Sequence, residues 1–160
     1  VRGVIVREPP AGAEHGSLAA RILAHMARHV EELGLGVVLA AETGFRLSED
    51  PDGTVRAPDA AFVAKARIPA GGMPEGFWPG PPDLVVEVVS PSNSADEILG
   101  KVVDFLEAGT RAVWVVQPRA RSVTVYRSRR DIRILAEHDA LEDADVLPGF
   151  RLPLAELFRS

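Results

Sequence analysis

Cysteine is absent from the 160 residues. That excludes a disulfide framework and any zinc or iron–sulfur site held by thiolates, and it fits a reducing, cytoplasmic setting, which is the expected localisation. No apolar run reaches the roughly 20 residues that span a bilayer, and no signal-peptide pattern opens the sequence, so no membrane association is expected. Internal repeats and low-complexity tracts are missing too, despite 13 prolines and 14 glycines. Positive charge is in deficit, with a formal net charge of −5, which weighs against polyanion binding by the chain as a whole. Lysine is scarce. Of 18 basic residues only Lys65 and Lys101 are lysines.

What is present suits one ordinary domain over residues 1–160, with 46% hydrophobic residues to build a core. Positive charge is concentrated rather than spread. Between Arg111 and Arg133 seven arginines face one acid, Asp131. Two readings stand for that segment: a charged hairpin edge that discourages strand pairing, or a surface for a polyanion.

Hydrophobic spacing gives the elements. Val1–Arg7 reads as a short strand. Leu18, Ile22, Met26, Val30 and Leu33 form one helical stripe, ended by Gly34 and Gly36. Val37–Leu47 and Val55–Ala64 read as strands. Residues 69–82, with five prolines and four glycines, form a loop long enough to act as a flap near a site. Leu84–Val89 (LVVEVV) reads as a central strand buried on both faces. Ser94-x-x-Glu97 has the form of a capping box, opening a helix with a stripe of Ile98, Val102, Phe105 and Leu106 that Gly109 stops. Ala112–Val116 and Ser122–Tyr126 make a hairpin, Ile132–Ala136 adds a strand, and the tail from Val146 to Phe158 reads as irregular, then briefly helical. The order β-α-β-β-β-α-β-β-β predicts an α/β fold, one mixed sheet with helices packed on it.

Glu87 is out of place in this pattern. A carboxylate inside LVVEVV is costly unless it is paired or binds a metal. The alternatives are a glutamate on an open face or one paired to an arginine. Asp59 begins the preceding strand. If the two strands are neighbours, about 4.8 Å apart, both carboxylates can reach one cation. Asp83 competes for that role, but four residues of extended strand put it roughly 13 Å from Glu87. Lys101 lies at the edge of the second helix's apolar stripe, where its ammonium can reach the Glu87 strand; it can equally snorkel or pair with Glu97. Two carboxylates and a lysine suit phosphodiester hydrolysis, since hard oxygen ligands select magnesium or manganese.

These residues carry a family resemblance. RAPDAAFV (56–63), PPDLVVEVVSPSNS (81–94), Lys101, GTRAVWVVQP (109–118) and VLPGFRLP (146–153), together with the helix opening near Glu14-His15, resemble the Uma-two family, whose members are described as endonucleases and resemble the PD-(D/E)XK restriction-endonuclease superfamily. The similarity runs over nearly the whole chain. It implies a restriction-endonuclease-like fold, with Asp59 as the aspartate of the PD motif, Glu87 as the second acid, and the Val88 carbonyl as a further metal ligand. Val89 stands where the superfamily has its lysine, and the resemblance places that role on Lys101. Gln117 stands where similar sequences carry aspartate.

The functional expectation is a magnesium- or manganese-dependent nuclease, acting on DNA rather than RNA, as a homodimer. Two rivals remain: a non-catalytic binding or dimerisation module of the same fold, with the hairpin and tail as a two-fold interface, and a hydrolase of small phosphoesters. His25 and His29 share a metal-binding i,i+4 spacing but lack a third ligand. Ser90 reads as a turn residue, and Trp114 as core. Phe77 and Trp78 can stack on a base or anchor their loop.

Overall fold

The computed structural model describes residues 12–50 and 53–159; the strand expected at Val1–Arg7 lies outside them. Helix α1 (Ala13–Leu33) buries Leu18, Ile22, Met26 and Val30, the residues whose spacing predicts it. It stops at Gly34, whose φ of 62° lets its N–H donate to the Glu31 and Val30 carbonyls. Leu33, in the last turn, is exposed rather than part of the stripe.

The central sheet has six strands in the order β1 (Gly36–Ala40), β4 (Ala60–Ala64), β6 (Leu84–Val88), β7 (Ala112–Gln117), β8 (Ser122–Tyr126) and β9 (Ile132–Leu135). Only β6 and β7 are parallel, as their helical crossover α2 (Ala95–Ala108) requires. Helix α2 opens on the expected capping box: the Ser94 hydroxyl accepts from the Glu97 N–H, and the Glu97 carboxylate accepts from the Ser94 N–H. Those bonds, the backbone one first, hold the Glu97 carboxyl below its ordinary range.

Three predicted segments differ from the structure. Val37–Leu47 is not one strand: the chain turns at Glu42, with φ at 70°, and resumes as β2 (Phe45–Arg46). Val55–Ala64 is split into β3 (Val55–Arg56) and β4, because Pro58 has no N–H to give the ladder. The tail is not irregular. Strands β10 (Ala140–Asp143) and β11 (Leu147–Pro153) pair antiparallel before a short α3 (Leu154–Leu157). Within the 69–82 loop, β5 (Trp78–Pro79) pairs parallel to β2, which itself pairs β3. Trp78 is buried against Phe45, ring centroids 6.4 Å apart, so it anchors the loop, while Phe77 stays exposed.

Strand alternation divides the core. Leu84, Val86 and Val88 of β6 and Trp114 and Val116 of β7 face α1 and the β10–β11 layer; Val85, Val113 and Val115 face Val102 and Phe105 of α2. Trp114 is fully buried and stacks on Phe150 at 5.6 Å. A third cluster joins Ala61 and Val63 of β4 to Phe45 and Trp78.

Candidate functional site

Alternation on β6 sends Glu87 to the same face as Val85, toward α2. It is 3% exposed. Opposite it on α2, Lys101 is 8% exposed, and its Nζ donates to Glu87 Oε2 at 3.3 Å. The i,i+4 alternative, a pairing with Glu97, is a minor electrostatic contact by comparison. A buried ion pair of this kind is costly to assemble, because both groups lose water. An apolar pair at these two positions would fill the space without that penalty.

Asp59 sits one residue before β4, and the register places it beside Glu87, since Ala60 pairs with Val86. Its Oδ2 accepts from the Val88 N–H at 2.7 Å. Pro58 explains the opening: it ends the β4 ladder, and the Asp59 side chain takes the bond a strand carbonyl would have accepted. The Val89 N–H donates to the Val116 carbonyl of β7 at 2.9 Å. Backbone groups of successive strand residues point to opposite sides, so those of Val88, including its carbonyl, point toward β4 and Asp59.

The structure also brings in a residue that sequence reasoning left without a role. In the first turn of α1, His15 Nε2 lies 3.2 Å from Asp59 Oδ2. The helix opening at Glu14-His15 was visible as sequence, but nothing in its spacing links it to a residue 44 positions away. Asp83, the competing acid, is committed elsewhere. Its Oδ2 accepts from the Ala64 N–H at 2.8 Å and pairs with Arg67 at 3.2 Å.

The register sets the Asp59 and Glu87 carboxylates on neighbouring strands beside the Val88 main chain, and such hard oxygen donors suit a hard divalent cation rather than a thiophilic metal. Among the described residues no group of three His, Cys, Asp or Glu side chains is placed to hold a metal, so any ion here draws on the Val88 carbonyl and on water beyond the two carboxylates.

A sequence model of the Uma2 family, described as "Putative restriction endonuclease", matches residues 1–155. The chain belongs to the Uma2 family. A crystal structure described as "a putative nuclease belonging to DUF820", from Anabaena variabilis, superposes on this Uma2 chain with a TM-score of 0.86 over 99% of this chain and 87% of the other, at 19% identity. At that identity the likeness establishes a shared fold, here the restriction-endonuclease-like mixed sheet flanked by helices. No protein of curated function matches the chain.

Elsewhere in this Uma2 chain the other candidates resolve into structure. His25 pairs with Glu156 at 3.4 Å, and His29 Nε2 bonds the Pro148 carbonyl at 2.8 Å, so the two do not converge on a metal. Ser90 bonds Ser92 and Asn93 within a turn. Three of the seven arginines in the segment are paired with acids, Arg121 with Glu137, Arg127 with Asp143 and Arg129 with Glu107, and Arg111 donates to the Asp145 carbonyl. Arg119, Arg130 and Arg133 have no acidic partner among the described residues. No helix of the described residues is long and apolar enough to cross a membrane.

Proposed function

We propose that this Uma2 chain is a divalent-metal-dependent endonuclease, that Asp59, Glu87 and the Val88 carbonyl are its metal ligands, and that Lys101 completes the catalytic set. The observation that carries the reading is Glu87, a buried carboxylate on a central strand, with Lys101 at 3.3 Å and Asp59 one strand away. A bound magnesium or manganese ion would supply Lewis-acid polarisation of a phosphoryl oxygen. The chain's own residues do the rest. Asp59 is oriented by the Val88 N–H and His15. The Lys101 ammonium, held in a dry site, offsets negative charge developing on the phosphoryl oxygens. DNA is the preferred substrate in this reading, in line with the restriction-endonuclease description of the family.

The test is cleavage of supercoiled plasmid and of single-stranded DNA with magnesium, manganese or EDTA, beside folded Asp59→Ala and Glu87→Ala proteins. Metal-dependent cutting that falls by about 10²- to 10³-fold in each variant is expected. Folded variants that cut like the parent would remove both residues from the mechanism. A parent that cuts nothing and binds no manganese is the non-catalytic module. Turnover of nucleotide or sugar phosphates alone is the small-phosphoester hydrolase.

The homodimer belongs to the same proposal, and β9 is its surface. This edge strand leaves Ile132 48% and Ile134 74% exposed. The Arg127 N–H donates to the Asp131 carbonyl at 3.0 Å, so by alternation the backbone groups of Ile132 and Ile134 point away from β8. Antiparallel pairing of two copies about Arg133 sets Ile132 opposite the second copy's Ile134 and the two Arg133 side chains opposite each other, each also diagonal to the other's Asp131, which offsets that like-charge contact. Light scattering should give twice the chain mass, falling to one for Ile134→Lys; a monomeric parent contradicts the pairing.

A further inference from the structure

Beyond the carboxyl ends of the parallel pair β6 and β7, where open α/β sheets bind their ligands, lies a cavity of about 240 Å³. Its walls include Glu14, Pro91, Asn93, Gln117, Pro118 and Arg119. Two of its wall residues are chain neighbours of candidate-site residues: Glu14 precedes His15, and Val89 follows Val88. It is smaller than the pockets of roughly 300–1,000 Å³ that hold drug-sized ligands.

The polar groups in this wall are half used. Asn93 Oδ1 accepts from the Ser90 N–H at 3.0 Å and the Ser90 hydroxyl at 3.1 Å. Gln117 Oε1 accepts from the Ser122 hydroxyl at 3.0 Å. Each amide therefore spends its acceptor inside the fold, and neither NH₂ group has a partner among the described residues. Glu14 brings an acceptor with no partner there either. Arg111, Arg121, Arg127 and Arg129 are tied to acids or carbonyls, while Arg119, Arg130 and Arg133 have no such bond among the described residues, and of these three Arg119 is in the cavity wall. Two amide donors, a carboxylate acceptor, flat proline walls and one available guanidinium match the edge, the faces and the phosphate of a single nucleotide.

We infer that this cavity receives one unstacked nucleotide next to the scissile phosphate, so that the substrate is single-stranded or locally unpaired DNA rather than intact duplex. The inference rests on the nuclease reading for its setting. A base inside a duplex has both faces stacked and its pairing edge occupied, and cannot enter a recess of this size without being extruded. Asn93 and Gln117 donate to the base carbonyls, Glu14 accepts from an exocyclic amine, and Arg119 holds the adjoining phosphate.

The experiment is fluorescence anisotropy of labelled single-stranded and duplex oligonucleotides of mixed sequence, with calcium in place of magnesium. It compares the parent with Ala120→Phe, which fills the cavity from an exposed wall position, and with Arg119→Ala, with melting curves to establish that both fold. The parent should prefer single strands, and Ala120→Phe should weaken single-strand binding by about tenfold, the loss expected for one base contact, leaving duplex binding unchanged. Arg119→Ala should weaken single-strand binding more than duplex binding. A parent with no single-strand preference, or a preference that survives Ala120→Phe, overturns the inference while leaving metal-dependent cutting untouched. A protein that cuts nothing yet loses single-strand binding in Ala120→Phe keeps the cavity's role and removes the nuclease.

Discussion

On the α1 face of the central sheet, Leu84, Val86, Val88, Trp114 and Val116 belong to one apolar cluster with, among others, Ile22 and Met26 of α1 and Leu152 and Leu157 near the chain's end. On the α2 face, β6 offers Val85 and then Glu87, and α2 answers with Phe105, Val102 and then Lys101. One strand thus serves a hydrophobic core with its even-numbered residues and a charged pair with its odd-numbered ones. The first face is built for stability. The second gives some up at one end, next to Asp59, where the β4 ladder stops. A charge pair of this kind stabilises less than a well-packed apolar pair would, and its location beside Asp59, a second and partly exposed acid, is what a metal site requires.

The difference can be broken by substitution. Ile22→Ala should have the largest effect on stability, a loss of about 2–5 kcal/mol in denaturant titration, with the manganese affinity of the folded protein unchanged. The double substitution Glu87→Leu/Lys101→Met should be neutral or stabilising, by up to about 1–4 kcal/mol, while abolishing cleavage. A double variant as unstable as Ile22→Ala would mean that the two faces are not distinct. Lys101→Ala sharpens the account within the site. Single-turnover cleavage should slow by about 10²-fold while manganese affinity falls much less, and an unchanged rate would remove Lys101 from the chemistry. The smallest effect is expected at the α2 cap. The Glu97 carboxyl is held below its ordinary range by the Ser94 N–H and hydroxyl, so its contribution is present above the unfolded carboxylate pKa and is lost as pH falls through the lower folded value. Glu97→Ala should therefore lower Tm slightly near neutral pH and not at all in strong acid.

Helices α1 and α2 and the β6–α2–β7 unit were legible in the sequence because their signals are local: the stripe from Leu18 to Val30, the Ser94–Glu97 box, and an apolar run too continuous for a half-exposed strand. The β10–β11 hairpin was not. Its buried residues alternate irregularly around a register shift between Glu142 and Asp143, so neither the helical nor the strand period stands out. The breaks at Glu42 and Pro58 were hidden inside apolar stretches that read as continuous strands. Within the site, Glu87 was conspicuous because a carboxylate violates its surroundings, and Lys101 because lysine is rare here. Tertiary placement alone adds His15 to Asp59, and it alone pairs Arg121, Arg127 and Arg129 with acids, which come from α2 and from the segment beyond β9.

The central claim is that Glu87 lies in the core because it binds a cation, and calorimetric titration with manganese of the parent and of Glu87→Gln tests it most directly. The amide keeps the size of the side chain and removes its charge. The account predicts one manganese site in the parent, weakened by about 10- to 100-fold or more in the variant. A variant that binds manganese as the parent does would contradict it.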